Sequence, residues 1–92
     1  MKVLRVEKTV TIPNRLGIHA RPASLLAQTA GRFQSQIWIE KDGIEVNARS
    51  ILGLMMLVAG QGTEITIKAE GEDAEAAVEA LAQLVEEGFG EE

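Results

Sequence analysis

Residues able to do chemistry concentrate in one stretch, Gly17-Ile18-His19-Ala20-Arg21-Pro22-Ala23. His19 is the only histidine in the chain. Proline is tolerated only in the first turn of a helix, where backbone donors have no helical acceptors. Pro22 therefore requires a helix to begin close to His19, at or next to its N-cap. Backbone N–H groups at that end, those of Ala20 and Arg21 among them, form a ready anion site. The positive end of the helix dipole disfavours imidazolium, which keeps the ring neutral and nucleophilic near pH 7. Arg21 falls within the first turn and offers bidentate donors to a phosphate-like group. Gly17 lets the backbone bend tightly just before the histidine. On physics alone this is an anion site with a candidate nucleophile, and the anion is left open. The competing reading is a surface histidine that merely caps a helix, a common outcome for so short a motif.

Ser50 heads a second stretch of interest, as the N-cap of a short helix running to about Leu57. The segment Ile51-Leu52-Gly53-Leu54-Met55-Met56-Leu57-Val58 is apolar on almost every face. A domain this small cannot bury all of it. Exposure is expected among Ile51, Leu52 and Met55, with Leu54 and Leu57 in the core. The bland reading is ordinary core. The functional one is a docking patch beside His19, where adaptable methionines suit several partners.

The elements that must position these groups follow from periodicity. Val6, Val10 and Ile12 share one parity against Glu7, Thr9 and Thr11, which predicts a strand. Lys8 interrupts its apolar row and points to a sheet edge. Pro13 to Gly17 is a loop. Ala23, Leu26, Ala27, Ala30 and Phe33 line one face of the helix after His19. A strand over Gln36 to Lys41, the turn Asp42-Gly43 and a return strand over Ile44 to Asn47 make a hairpin. Beyond Ser50 and its helix, Gly60-Gln61-Gly62 breaks the chain. Ile65, Ile67 and Ala69 then alternate in a fourth strand. A last helix starts near Asp73, a candidate N-cap, and buries Ala77, Val78, Leu81, Leu84 and Val85. Gly88 stops it, with Phe89 folding back. This order predicts an α+β domain, an antiparallel sheet with helices on one face. Its other face is left to polar residues and Trp38.

Composition narrows the function classes. The 92 residues suit one domain, 1–92. The net charge of −5 and the three aromatic residues, one Trp and two Phe, argue against a nucleic-acid partner. The chain from Glu70 onward is acidic and carries no basic residue. That end is expected to solvate one face and leave a more basic one elsewhere. The absence of cysteine excludes disulfides and fits a reducing compartment. The N-terminal segment lacks the apolar core of a signal peptide, and the run Ile51 to Ala59 is too short to span a bilayer. One histidine and scattered carboxylates give no metal-ligand spacing. Neither a metal, a cofactor nor membrane insertion is expected.

The segment Gly17 to Ala23 resembles the active-site signature of the HPr family, the histidine-containing phosphocarriers of the bacterial phosphoenolpyruvate-dependent sugar phosphotransferase system. Trp38-Ile39-Glu40-Lys41-Asp42-Gly43 is similar to the central hairpin of that family. Asn47-Ala48-Arg49-Ser50-Ile51-Leu52-Gly53-Leu54-Met55-Met56-Leu57 is similar to its second signature. The resemblance covers nearly the whole chain. It implies an open-faced β-sandwich, a four-stranded antiparallel sheet in the order 1-4-2-3 covered on one side by three helices. It implies that His19 accepts a phosphoryl group on Nδ1 from phosphorylated enzyme I and gives it to an enzyme IIA domain. Arg21 and the helix-end amides of His19, Ala20 and Arg21 would hold the phosphoryl oxygens. It further implies regulatory phosphorylation of Ser50 by HPr kinase/phosphorylase. Docking would involve Ile51, Leu52 and Met55, with Arg21 and Arg49 at the rim. The expectation is a cytoplasmic, monomeric carrier rather than an enzyme. Two alternatives stay open: a paralogue in a nitrogen-regulatory phosphorelay, and a docking or corepressor module controlled through Ser50. Some relatives of the latter kind replace the active histidine, which is present here. The acidic tail after Gly88 has no assigned role.

Overall fold

A computed structural model describes residues 4–91. Its elements follow the predicted order: β1 (Arg5–Thr11), α1 (Ala20–Ala30), β2 (Gln36–Lys41), β3 (Ile44–Asn47), α2 (Ile51–Met56), β4 (Glu64–Glu70) and α3 (Ala74–Glu86). A 3-10 turn, Gly88–Gly90, follows α3. The four strands form one antiparallel sheet in the order β1-β4-β2-β3, the order that the family resemblance implies.

Register explains why the sheet has two unlike faces. Val10 lies opposite Ile65, Ile39 opposite Ile67 and Ile37 opposite Ala69, and all six are buried beneath the helices. Out of phase with them, Thr9 meets Thr66 and Trp38 meets Lys68 on the open face. A slip of one residue would exchange the faces, so burial of the isoleucines specifies the pairing. Each fully buried Ile or Leu contributes roughly 1.5–3 kcal/mol. On the open face Lys68 pairs with Glu40 and Glu45, whose carboxylates raise its pKa above the usual lysine value. Asp42 and Gly43 both adopt left-handed backbone, φ 52° and 83°, as a two-residue hairpin turn requires.

The break at Lys8 is what an edge strand tolerates. β1 lies at one edge of the sheet, and the Lys8 ammonium reaches Glu86 at 3.8 Å and Glu79 at 4.0 Å on α3. The stem can cover apolar surface while the charged end meets solvent and acid. α3 buries Ala77, Val78, Leu81 and Val85 as predicted, with Ala74 and Ala82 alongside, while Leu84 is half-buried. Gly88 follows its last turn, and Phe89 is 1% exposed.

Asp73 behaves differently from its predicted role. It occupies the N-cap position of α3, but its side chain makes no capping bond. Its carboxylate instead accepts from the backbone of Gln34 (2.8 Å) and Ser35 (2.9 Å) and from the Ser35 hydroxyl (2.5 Å). The α1–β2 loop brings three donors to it at once, and one helical N–H cannot match that set. The Ser35 hydroxyl, followed by the Gln34 amide, holds the Asp73 carboxyl below its ordinary range. Among the described residues no helix is long and apolar enough to cross a membrane.

Candidate functional site

The loop that carries His19 is anchored at both ends by apolar burial. Ile12 is 0% exposed and Ile18 5% exposed. Between them Asn14 is buried, and its Nδ2 donates to the Gly17 carbonyl at 2.8 Å. Gly17 adopts φ 66°, and a Cβ there would lie 2.2 Å from the Ala59 carbonyl oxygen. That carbonyl accepts the Ile18 N–H at 2.9 Å. The segment after α2 is thus packed directly against the loop before α1, and only glycine fits at the crossing.

α1 then begins as Pro22 demands, with His19 at the N-cap in extended backbone (φ −94°, ψ −165°). The imidazole makes no capping bond to its own helix. Its side chain is 36% exposed. Arg21 projects from the first turn, and its NH1 donates to the Phe89 carbonyl at 3.2 Å.

The structure places an acceptor where the sequence reading expected only donors. Glu91 folds back across the start of α1. Its Oε2 lies 2.9 Å from His19 Nε2 and 3.2 Å from Arg21 NH1, and its Oε1 accepts from Asn14 Nδ2 at 2.9 Å. The Asn14 bond, then those with His19 and Arg21, hold the Glu91 carboxyl below its ordinary value against the opposing effect of desolvation. The acidic C-terminal segment therefore does more than solvate a face. Glu91 serves His19 and Arg21, Glu79 and Glu86 serve Lys8, and Asp73 ties down a loop.

Ser50 caps α2, its Oγ accepting the Gly53 N–H at 2.9 Å. From α2 onward the exposed apolar side chains are Ile51 (44%), Leu52 (71%), Met55 (40%), Met56 (71%) and Val58 (77%), and Leu16 in the His19 loop is 64% exposed. Leu54 and Leu57 are buried as expected. The sequence reading singled out Ile51, Leu52 and Met55 but not Met56, Val58 or Leu16. Leu16 had a readable signal, a large apolar residue inside a polar loop. Asn14 and Glu91 had none, because Glu91 meets His19 across 72 residues of chain. Val58 holds φ 52°, a left-handed backbone unusual for a β-branched residue. Arg49 is exposed, but one guanidinium nitrogen already serves the Phe33 (2.6 Å) and Ser35 (3.1 Å) carbonyls beyond the far end of α1.

A sequence model described as "PTS HPr component phosphorylation site" matches residues 6–87. The chain belongs to the HPr family. It is 48% identical over 87 residues to the phosphocarrier protein HPr of Treponema pallidum, covering 95% of this chain and 99% of that one. It is 52% identical over 81 residues to the HPr-like protein Crh of Halalkalibacterium halodurans, covering 88% and 96%. The crystal structure of HPr from Thermoanaerobacter tengcongensis superposes with a TM-score of 0.90 at 53% identity, over 95% of this chain and 98% of that one. The HPr fold, a 1-4-2-3 sheet with three helices, is the one described above. Glu91 lies beyond the segment that the family model spans.

Proposed function

We propose that this chain is a single-domain phosphocarrier, 1–92, that takes a phosphoryl group on His19 Nδ1 from phosphorylated enzyme I and gives it to enzyme IIA domains in sugar uptake. The observation that carries this reading is the convergence of His19 Nε2 and Arg21 NH1 on one oxygen of Glu91, at 2.9 and 3.2 Å. Ring and guanidinium meet at one anion, and Arg21 with the amides that open α1 supplies the donors for a phosphoryl group on the ring. These donors lie at a surface, where each contributes little until a partner excludes water. That suits a carrier, which must release its cargo and does not turn over substrate as an enzyme. The chain acts as a monomer in the cytoplasm, and it needs no cofactor.

Docking falls to Ile51, Leu52 and Met55, extended by Met56 and Leu16, with Arg21 and Arg49 at the rim. Arg49 does this with its guanidinium already held on the Phe33 and Ser35 carbonyls. Ser50 is the regulatory position, a substrate for HPr kinase/phosphorylase. A phosphate there is stabilised at the start of α2 and places negative charge beside the docking patch, where it repels acidic partners. A second reading, a docking module switched through Ser50, draws support from the similarity to Crh. A nitrogen-regulatory phosphorelay would use the same chemistry with a different donor.

The test is incubation with enzyme I and phosphoenolpyruvate, comparing wild type with His19→Ala by intact mass and acid lability. An acid-labile adduct on wild type alone supports the carrier reading. No adduct on folded wild type, with enzyme I active on another carrier, refutes transfer from that donor and brings the other two readings forward.

A further inference from the structure

The Glu91 contact bears on which nitrogen of His19 reacts. Glu91 is held by three groups from two parts of the chain: Asn14 on Oε1, and His19 and Arg21 on Oε2. Its side chain is 20% exposed, and its backbone N–H is fixed on the Gly88 carbonyl at 2.9 Å. An ionised carboxylate can only accept hydrogen bonds. At 2.9 Å the His19 Nε2 must therefore be the donor and carry a proton. In a neutral imidazole the other nitrogen then holds the lone pair.

We propose that Glu91 is a positioning residue: by accepting the Nε2 proton of His19 it orients the ring and keeps the lone pair on Nδ1, the nitrogen that takes the phosphoryl group. This rests on the carrier reading above. It deepens that reading by identifying what sets the nucleophile. In the transfer step the Nδ1 lone pair forms the new P–N bond. The bond from phosphorus to the protein donor breaks, and its electron pair leaves on the donor atom. The Nε2 proton stays on the ring throughout, so the ring becomes an imidazolium bearing phosphorus on Nδ1. Glu91 faces that developing charge from the Nε2 side, as the carboxylate of a catalytic triad faces its histidine. Arg21 and Asn14 hold the carboxylate in place from its other sides, and Arg21 is the other charged side chain recorded on it.

The experiment uses full-length protein with the histidine ring labelled with nitrogen-15. Wild type should show a protonated Nε2 with slowed proton exchange and an unprotonated Nδ1 in the neutral ring. Glu91→Ala should lose the exchange protection and move the two ring nitrogen shifts toward each other, with the fold retained by amide spectra. Glu91→Gln keeps an acceptor oxygen and should retain most of the wild-type ring signature. With enzyme I as donor, the initial rate of phosphorylation of Glu91→Ala should fall about tenfold or more. A proton on Nδ1 in wild type, or identical ring signals in wild type and Glu91→Ala, overturns the assignment. A full phosphorylation rate in Glu91→Ala overturns its role in transfer. The ring spectra need no donor protein, so failure of the carrier reading and failure of this one are told apart.

Discussion

Replacing Gly17 by alanine tests how the His19 loop is held, and Gly43→Ala provides the matched control. Both glycines have left-handed backbone, φ 66° and 83°, so both substitutions carry the same conformational cost of about 1–2 kcal/mol. Space separates them. A Cβ on Gly43 meets nothing within 4 Å, whereas one on Gly17 lies 2.2 Å from the Ala59 carbonyl oxygen and 2.8 Å from the Gly60 Cα. Both obstacles are backbone, which cannot rotate away as a flexible side chain can. Forcing an extra carbon into such a contact costs a further ~1–3 kcal/mol. For a domain of this size each kcal/mol moves Tm by roughly 4–8 °C. Gly17→Ala should therefore melt at least about 4 °C below Gly43→Ala. The same displacement reaches the site, because the Gly17 carbonyl accepts the His19 N–H (3.1 Å) and Asn14 Nδ2 (2.8 Å). Phosphorylation of His19 should slow about tenfold or more in Gly17→Ala, since misplacement by an ångström can cost a hundredfold. Gly43→Ala, in a distant hairpin turn, should keep the wild-type rate. Thermal unfolding and initial rates with enzyme I measure both effects. Equal melting temperatures for the two variants, or a full rate in Gly17→Ala, would refute the steric argument.

Three further outcomes follow from single contacts. Ser50→Ala removes the acceptor for the Gly53 N–H and should cost about 1 kcal/mol in urea unfolding while leaving phosphorylation of His19 intact. Val58→Gly relieves a left-handed β-branched residue whose side chain is 77% exposed. The relief of ~1–2 kcal/mol is set against ~0.5–1 kcal/mol of added chain freedom, so thermal unfolding should show a net gain of up to about 1.5 kcal/mol. Asp73 has a carboxyl pKa below its ordinary 3.8 through bonds from Ser35 and Gln34. A folded-state value below the unfolded one stabilises the protein above the ordinary carboxylate range. That stability is lost as pH falls through the depressed value. Asp73→Asn should flatten this acid limb in unfolding measured from pH 5 down to pH 2, and an unchanged limb would exclude Asp73 as a contributor.

Much of this molecule was legible in its residues because local physics decided it. Pro22 marks the start of α1, and with it the place of His19 at a helix end. Alternation at Ile37, Ile39, Ile65 and Ile67 reports which sheet face is covered, because side chains in a strand point to opposite sides. The pair Asp42-Gly43 names its own turn. The two motifs around His19 and Ser50 identified the family. Even the interruption at Lys8 marked an edge strand.

What the sequence could not disclose depends on elements brought together from distant parts of the chain. Asp73 read as a helix cap, yet its carboxylate went to three donors that only the folded α1–β2 loop presents. Arg49 was placed at the rim of the docking patch, and the bonds of its guanidinium to two carbonyls beyond α1 had no signal in the sequence. Glu91 read as one acid in an acidic tail. Its partners His19 and Asn14 lie 72 and 77 residues away, and no periodicity links them. Helix ends, strand parity and turns are settled within a few residues, so the sequence alone determined them. The company a charged side chain keeps is decided by packing, and only the tertiary structure set Glu91 against the histidine.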